Sequence, residues 1–303
     1  MCKNCDLKPV IKLSSGVSLC KNCFIDYFER KTRKTISKFK MISKGDRIAV
    51  GLSGGKDSTA VLYIIASIAK RHDTIKVMAI SIDEGIKGYR DETLKDAKAM
   101  CKKLGITHKV YSYKKELGYT LDQMVKKLDM NPCTLCGVFR RYLLNKYSRK
   151  LKVTKLVTGH NLDDESQSVI MNQFRSNVDA SARLGPVTGI VADYRFIRRI
   201  KPFYLLLEKE IMLYAFLKKF PFSSQECPYA HSAYRSEVRD MLNDFEQRHL
   251  GVKNNIINSF LAVLPLLKEH YKAKSKRIKS CKCGEPSSES VCKACQLIKE
   301  LKD

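Results

Sequence analysis

The chain has 303 residues, an ordinary hydrophobic share of 44%, and 57 lysines and arginines against 31 aspartates and glutamates, for a formal net charge of +26. That length and composition exclude a disordered chain and suit one large core with small appendages. Such a charge needs a polyanionic partner to offset self-repulsion, and nucleic acid is the commonest.

The first residues, Met1-Cys2-Lys3-Asn4-Cys5, show no signal-peptide pattern. The chain is therefore expected in the cytoplasm, where its twelve cysteines would stay reduced and serve metals or catalysis instead of disulfides. Cys2-x2-Cys5 is followed after fourteen residues by Cys20-x2-Cys23, a spacing suited to tetrahedral zinc, with Gly16 at the turn of an intervening hairpin. Residues 1–27 then form a zinc-binding module and 28–44 a basic helical linker.

From Lys44 onward, short β-branched runs alternate with amphipathic helical patterns, which predicts an α/β fold with a parallel sheet and helices on both faces. The expected strands are Arg47 to Leu52, Lys76 to Ile82, His108 to Tyr113 and Lys155 to Thr158. Between the first strand and its helix stands Gly51-Leu52-Ser53-Gly54-Gly55-Lys56-Asp57-Ser58-Thr59. Its glycines permit a tight turn in which backbone amides and Ser53, Ser58 and Lys56 surround phosphate oxygens. It is neither a Walker A loop nor a dinucleotide-binding GxGxxG. The longest apolar run, Ala60 to Ala69, is too short to cross a bilayer.

Cys101 lies on the apolar face of a helical pattern and reads as a small core residue. Cys133 and Cys136 lie just before a basic helix, and Cys227 follows far along the chain. These three thiols suit a 4Fe-4S cluster with one open iron, a persulfide pair with a resolving thiol, or a structural zinc completed by His231. Basic clusters at Arg30 to Lys44, Arg140 to Lys155, Arg195 to Lys201 and Lys272 to Lys279 offer phosphate contacts along an extended RNA. The apolar stretch Phe260 to Leu267 is core or part of a homodimer interface. Cys281-x-Cys283 and Cys292-x2-Cys295 form a second, more compact zinc quartet. Four thiolates leave no open position, so both zincs are structural.

The run Ser53-Gly54-Gly55-Lys56-Asp57-Ser58 is similar to the SGGxDS loop of the PP-loop ATP-pyrophosphatases. Together with Pro132-Cys133-Thr134-Leu135-Cys136-Gly137-Val138-Phe139-Arg140-Arg141, Thr158-Gly159-His160-Asn161-Leu162-Asp163-Asp164-Glu165 and the terminal cysteine pairs, the chain resembles the tRNA 2-thiouridine sulfurtransferases along almost its whole length. The resemblance implies a PP-loop, HUP-like sheet flanked by zinc modules: an ATP-pyrophosphatase domain at 45–225, a helical extension at 226–275 and a second zinc-binding module at 276–303. It implies a 4Fe-4S cluster on Cys133, Cys136 and Cys227, and ATP with Mg²⁺ held by Ser53, Gly54, Gly55, Lys56, Asp57, Ser58, Ile82, Arg140, Gly159 and Asp164. Lys56 would stabilise departing pyrophosphate, and Asp164 would bind magnesium, move a proton, or merely cap its helix. His160 is equally open between a structural and a catalytic role.

The reaction implied is adenylation of the uridine O2 followed by substitution with sulfide, releasing AMP and pyrophosphate. The partners are tRNA and a sulfur donor: free sulfide, a cysteine desulfurase or a ubiquitin-like thiocarboxylate carrier. The wobble uridine is favoured over the T-loop uridine. Other readings are a 2-thiocytidine enzyme, which generally lacks the zinc modules, an RNA-binding zinc protein with ATP as a switch, and an ammonia-using ligase.

Overall fold

The computed structural model describes residues 1–303 except 192, 194, 224, 231–233, 274–277 and 303. The N-terminal segment forms a hairpin of β1 (Ile11–Lys12) and β2 (Ser18–Leu19), with Gly16 at φ +81° in its turn. Helix α1 (Lys21–Lys38) follows at once and contains Cys23, so the division expected at residue 27 falls inside one continuous helix.

The central domain runs β3 (Arg47–Gly51), α2 (Lys56–Ala69), β4 (Lys76–Asp83), α3 (Arg90–Leu104), β5 (Thr107–Ser112), α4 (Tyr113–Leu117), α5 (Leu121–Lys127), α6 (Pro132–Lys150), β6 (Lys155–Val157), α7 (Leu162–Phe174), α8 (Val178–Ala182), β7 (Arg198–Ile200) and α9 (Glu208–Leu217). Two long helices, α10 (Tyr234–Arg248) and α11 (Val252–Ala273), come next. A hairpin of β8 (Lys279–Ser280) and β9 (Pro286–Ser287) and helix α12 (Lys293–Glu300) end the chain.

The five-stranded sheet has the order β5-β4-β3-β6-β7, and every pairing in it is parallel. The four strands expected from the sequence are present to within a residue or two at their ends. The fifth, β7, lies within the run Arg195 to Lys201 that reads as a charge cluster, because three residues on a sheet edge carry too little alternation to declare a strand. Alternate residues of β3 face opposite layers. Ile48 and Val50 join a core with α1, α2 and α9, whereas Ala49 joins one with α6 and α12. Two covered faces explain why the strands read as almost continuous apolar runs.

Among the described residues no single helix is long and apolar enough to cross a membrane. The apolar stretch at 260–267 is split: Phe260 and Leu264 are buried in a core with Leu162 and Val169 of α7, while Val263 and Leu266 point outward.

Helix α1 is joined to the sheet domain by aromatic packing. Phe28 is fully buried, stacks on Tyr214 of α9 with centroids 4.1 Å apart, and meets Phe203 edge-on at 5.4 Å. Replacing Phe28 by alanine should cost about 3–5 kcal/mol. Urea denaturation should show a lower midpoint at unchanged slope.

Candidate functional site

In a parallel sheet whose chain reverses direction of travel, ligands bind beyond the carboxyl ends of the strands on either side of the reversal. Here the chain moves outward from β3 through β4 to β5 and returns to the other side of β3 as β6. The loop after β3 and the turn after β6 therefore meet. Gly159 makes this possible, since a Cβ there would lie 2.9 Å from both the Asp57 carbonyl carbon and the Ser58 nitrogen.

The loop after β3 folds on itself before helix α2 begins. Ser58 Oγ accepts from the Ser53 amide at 3.1 Å and donates to the Gly55 carbonyl at 3.0 Å, and the Gly55 amide donates to Ser53 Oγ at 3.3 Å. Gly54 has φ +91°, and a Cβ on it would stand 1.9 Å from the Thr93 carbonyl oxygen, so α3 presses directly on the loop. The N-terminus of α2 carries positive dipole and amide hydrogens suited to phosphate.

The Lys56 ammonium donates to Asp57 at 3.0 Å and to Glu208 at 2.6 Å. Asp57 is also bound by Asn161 Nδ2 at 3.2 Å, and burial raises its carboxyl above the usual range.

Asp164 sits at the third position of α7 in a capping box. Its amide donates to Asn161 Oδ1 at 3.0 Å, and its Oδ2 accepts from the Asn161 amide at 3.1 Å. The capping role is thus present in the geometry. Enclosure by protein raises its carboxyl to about 7, against the lowering effect of Arg235. Its neighbours anchor other elements: Asp163 accepts from Lys253 of α11 at 2.5 Å and from the Glu208 amide at 2.7 Å, and Glu165 accepts from Lys201 at 2.6 Å. These partners lie 36 to 90 residues away, beyond the reach of local pattern.

Cys133 and Cys136 lie inside the first turns of α6 and not before it. Pro132 occupies a position where no amide hydrogen is needed, and Asn131 Oδ1 accepts from the Cys133 and Thr134 amides at 2.9 and 3.3 Å. Cys227 comes alongside through its turn, which is closed by the Ala230 amide on the Cys227 carbonyl and pinned by Tyr229 Oη on Asp122 at 2.8 Å. Cys133 Sγ approaches the Tyr229 carbonyl at 3.6 Å. The thiols of Cys136 and Cys227 are both raised, chiefly by burial, and Cys227 feels the charge of Cys133. His231 lies outside the described residues.

A single tetrahedral zinc holds its sulfurs about 3.8 Å apart. The terminal quartets Cys2, Cys5, Cys20, Cys23 and Cys281, Cys283, Cys292, Cys295 each gather their sulfurs within 4.8 Å, and among the described residues no other such group of sulfurs occurs. Backbone amides of Cys20 and of Cys283 lower the thiols of Cys2 and Cys281 to about 6, favouring the thiolates a metal needs. Cys133, Cys136 and Cys227 are not among the groups gathered that tightly, and three thiols are the donor set of a cluster with one iron left open. Cys101 is buried in the core and its thiol is pushed up to about 11 by that burial.

Between loop and thiols stand Arg140, expected as an ATP contact, and two residues that the sequence did not single out, Glu84 and Arg90. Arg140 Nη2 donates to Cys136 Sγ at 3.1 Å, and its Nε donates to Glu84 at 2.8 Å. Glu84 also pairs with Arg90 at 2.9 Å. Arg90 in turn donates to the Ser53 carbonyl at 2.5 Å and, through Nε, to the Ile82 carbonyl at 3.0 Å. Both Glu84 and Arg90 are buried, and a buried carboxylate beside a strand end is the signal that could have marked them.

The far side of the site is cationic. His160 donates to or accepts from Thr158 Oγ1 at 2.9 Å, and the surrounding protein with Lys201, Arg199, Arg235 and Arg140 holds its imidazole well below the usual range. Burial lowers both Arg141 and Arg199, and the charge of Arg140 adds to it at Arg141 and that of Arg141 at Arg199, so like charges crowd here. Elsewhere the basic runs are partly spent internally: Arg33 pairs with Glu29, Lys146 with Glu116, and Arg149 with Glu285.

Residues 26–245 match the PP-loop domain family. The chain is 39% identical to cytoplasmic tRNA 2-thiolation protein 1 of Laccaria bicolor over 291 residues, which covers 95% of this chain and 81% of that protein. The protein of the same name from Arabidopsis thaliana is 37% identical over 310 residues, covering 99% and 84%. The chain belongs to the PP-loop tRNA 2-thiolation family. In fold, this PP-loop chain matches the U34-tRNA thiolase NcsA from Methanococcus maripaludis, a structure with its 4Fe-4S cluster, at a TM-score of 0.86 and 36% identity, covering 99% and 96% of the two chains.

Two substitutions check the loop of this PP-loop protein. Gly54→Ala should weaken ATP binding by roughly tenfold or more through displacement of the loop, measured by calorimetry. Gly55→Ala should have a milder effect, because its Cβ would meet only Ser53 Oγ, at 3.5 Å.

Asp164→Asn keeps an oxygen that accepts from the Asn161 amide, so its melting temperature should stay close to wild type. If the carboxylate acts chemically, thiolation is lost all the same. A carboxyl raised from 3.8 to about 7 by folding stabilises the protein below its unfolded value and loses that contribution as pH rises through its folded value. Wild-type stability relative to Asp164→Asn should therefore fall across that window, read by denaturation at each pH.

Proposed function

We propose that the protein is an ATP-dependent tRNA-uridine 2-sulfurtransferase acting in the cytoplasm. The observation that carries this reading is Arg140, whose guanidinium reaches Cys136 on one side and, through Glu84 and Arg90, the nucleotide loop on the other. Activation chemistry and sulfur chemistry thus share one recess. The names of the relatives, thiolation proteins and a U34-tRNA thiolase, support the same reaction and favour the wobble uridine.

The uridine O2 attacks the α-phosphorus of ATP, forming a C–O–P link and releasing pyrophosphate. Hydrosulfide then forms the C–S bond at carbon 2 while the C–O bond breaks, its proton is lost, and AMP departs with the oxygen. Amides at the start of α2 and Arg140 stabilise charge on the phosphates, with Mg²⁺ as the companion of ATP. Lys56 contributes less than expected, because Asp57 and Glu208 hold it; its part is to fix the start of α2. Cys133, Cys136 and Cys227 would hold a 4Fe-4S cluster, which when bound supplies an iron without protein ligand that acidifies hydrosulfide.

Arg141, Arg199 and Arg235, with the neutral imidazole of His160 beside them, form the cationic side suited to the tRNA backbone. The terminal quartets hold structural zinc, each stabilising a piece too small for a core of its own.

Incubation of anaerobically reconstituted protein with ATP, sulfide and unmodified tRNA should yield AMP, pyrophosphate and 2-thiouridine in equal amounts. Nucleoside mass spectrometry of isolated anticodon fragments locates the product. AMP formation without thiolation would reject the transferase, and 2-thiouridine confined to the T loop would reject the wobble assignment.

A further inference from the structure

The two oxygens of the Glu84 carboxylate go to different guanidiniums. Oε1 accepts from Arg140 Nε at 2.8 Å, and Oε2 pairs with Arg90 at 2.9 Å. Glu84 and Arg90 are 4% and 5% exposed in their side chains, so water cannot substitute for either contact, whereas Arg140 is 48% exposed and faces the recess. The backbone around Glu84 is equally constrained. Its carbonyl accepts from the Leu121 amide at 2.8 Å. Gly85, next in the chain, has φ +70° and lies so close to Thr120 that a Cβ would stand 2.6 Å away.

At the loop end, Arg90 spends its remaining donors on the Ser53 and Ile82 carbonyls and on Thr93 Oγ1 at 2.9 Å. At the thiol end, Arg140 meets Cys136 Sγ, and Tyr113 Oη donates to the Cys136 carbonyl at 2.8 Å. Ser53, Arg90, Glu84, Arg140 and Cys136 therefore form one unbroken line of hydrogen bonds and ion pairs. Neither Glu84 nor Arg90 can shift without leaving a buried charge or acceptor unpaired.

We infer that Glu84 is a positioning residue that couples nucleotide occupancy of the Ser53–Ser58 loop to the Cys136 thiol by holding Arg90 and Arg140 at once. The inference rests on the reading of that loop as the ATP site and of the cysteines as the sulfur site. Nucleotide that orders the loop also orders Arg90, and through Glu84 it clamps Arg140 over Cys136. By linkage, the state of Cys136 acts back on nucleotide affinity. Cys133, which is exposed and among the described residues has no guanidinium contact, lies outside the line.

The test uses the iron-free full chain, alkylated with iodoacetamide with and without a non-hydrolysable ATP analogue, and peptide mass spectrometry to follow each cysteine. Saturating nucleotide should slow modification of Cys136 by about fivefold and leave Cys133 nearly unchanged. Glu84→Gln, which turns one acceptor oxygen into a donor facing a guanidinium, should abolish that protection at nucleotide concentrations that calorimetry shows to be saturating. Glu84→Asp keeps the charge but reaches only one partner, and should lose the protection too; it serves if the glutamine variant does not fold.

A role in folding alone would lower the melting temperature and leave protection intact. Equal protection in wild type and either variant, or no protection in wild type, overturns the coupling. Protection that behaves as expected in a protein that makes no 2-thiouridine would count against the proposed function and not against Glu84.

Discussion

The constraint on which the site depends is one buried carboxylate shared by two guanidiniums. Glu84 is almost fully enclosed, and a carboxylate in such a place is tolerated only when paired and hydrogen-bonded. Removing one partner of a buried pair of this kind costs about 3–5 kcal/mol, because the survivor is left charged and unsolvated. That penalty enforces geometry: Arg90 must lie under the nucleotide loop and Arg140 must reach toward Cys136. The ends of two helices and one strand are thereby registered to each other more sharply than apolar packing could achieve.

The same logic governs the turn after β6. Asp163, Asp164 and Glu165 crowd the first turn of α7, where the helix dipole favours negative charge, yet each is committed to a different neighbour. Asp163 fastens α11 and the start of α9, Asp164 caps its own helix, and Glu165 holds Lys201 beside β7. Because the start of α9 carries Glu208, the partner of Lys56, Asp163 also influences the nucleotide loop from the opposite side of the site.

Helix α6 has a comparable double duty. Its first turns present Cys133, Cys136 and Arg140, while further along Asn145 Nδ2 donates to Glu285 at 2.6 Å and Arg149 pairs with the same carboxylate and with the Gly284 carbonyl. Glu285 lies in the C-terminal cysteine hairpin, so that module is docked on the back of the helix that bears the thiols. The N-terminal quartet is fused to α1 through Cys23 and reaches α9 through Phe28. Both appendages are thus built onto the core as well as internally tied.

By itself the sequence determined the loop, the pairing of the terminal cysteines and the alternation of strands and helices. Each of these is a local pattern: a glycine turn at a helix start, thiols two or three residues apart, and apolar residues at strand or helix periods. It left Cys133, Cys136 and Cys227 with three possible chemistries and Asp164 with three possible roles, since spacing does not report distance between segments. Glu84 and Arg90 carried no mark in it, Lys201 and β7 lay within a basic run, and Lys56 was assigned to departing pyrophosphate. Only the tertiary structure supplied the partners of Glu84, Arg90, Lys201 and Lys56, because these include residues 36 to 152 positions away that the parallel sheet brings together. Burial then turned ordinary charges into fixed ones, because a charge shielded from water is tolerated only when it is paired.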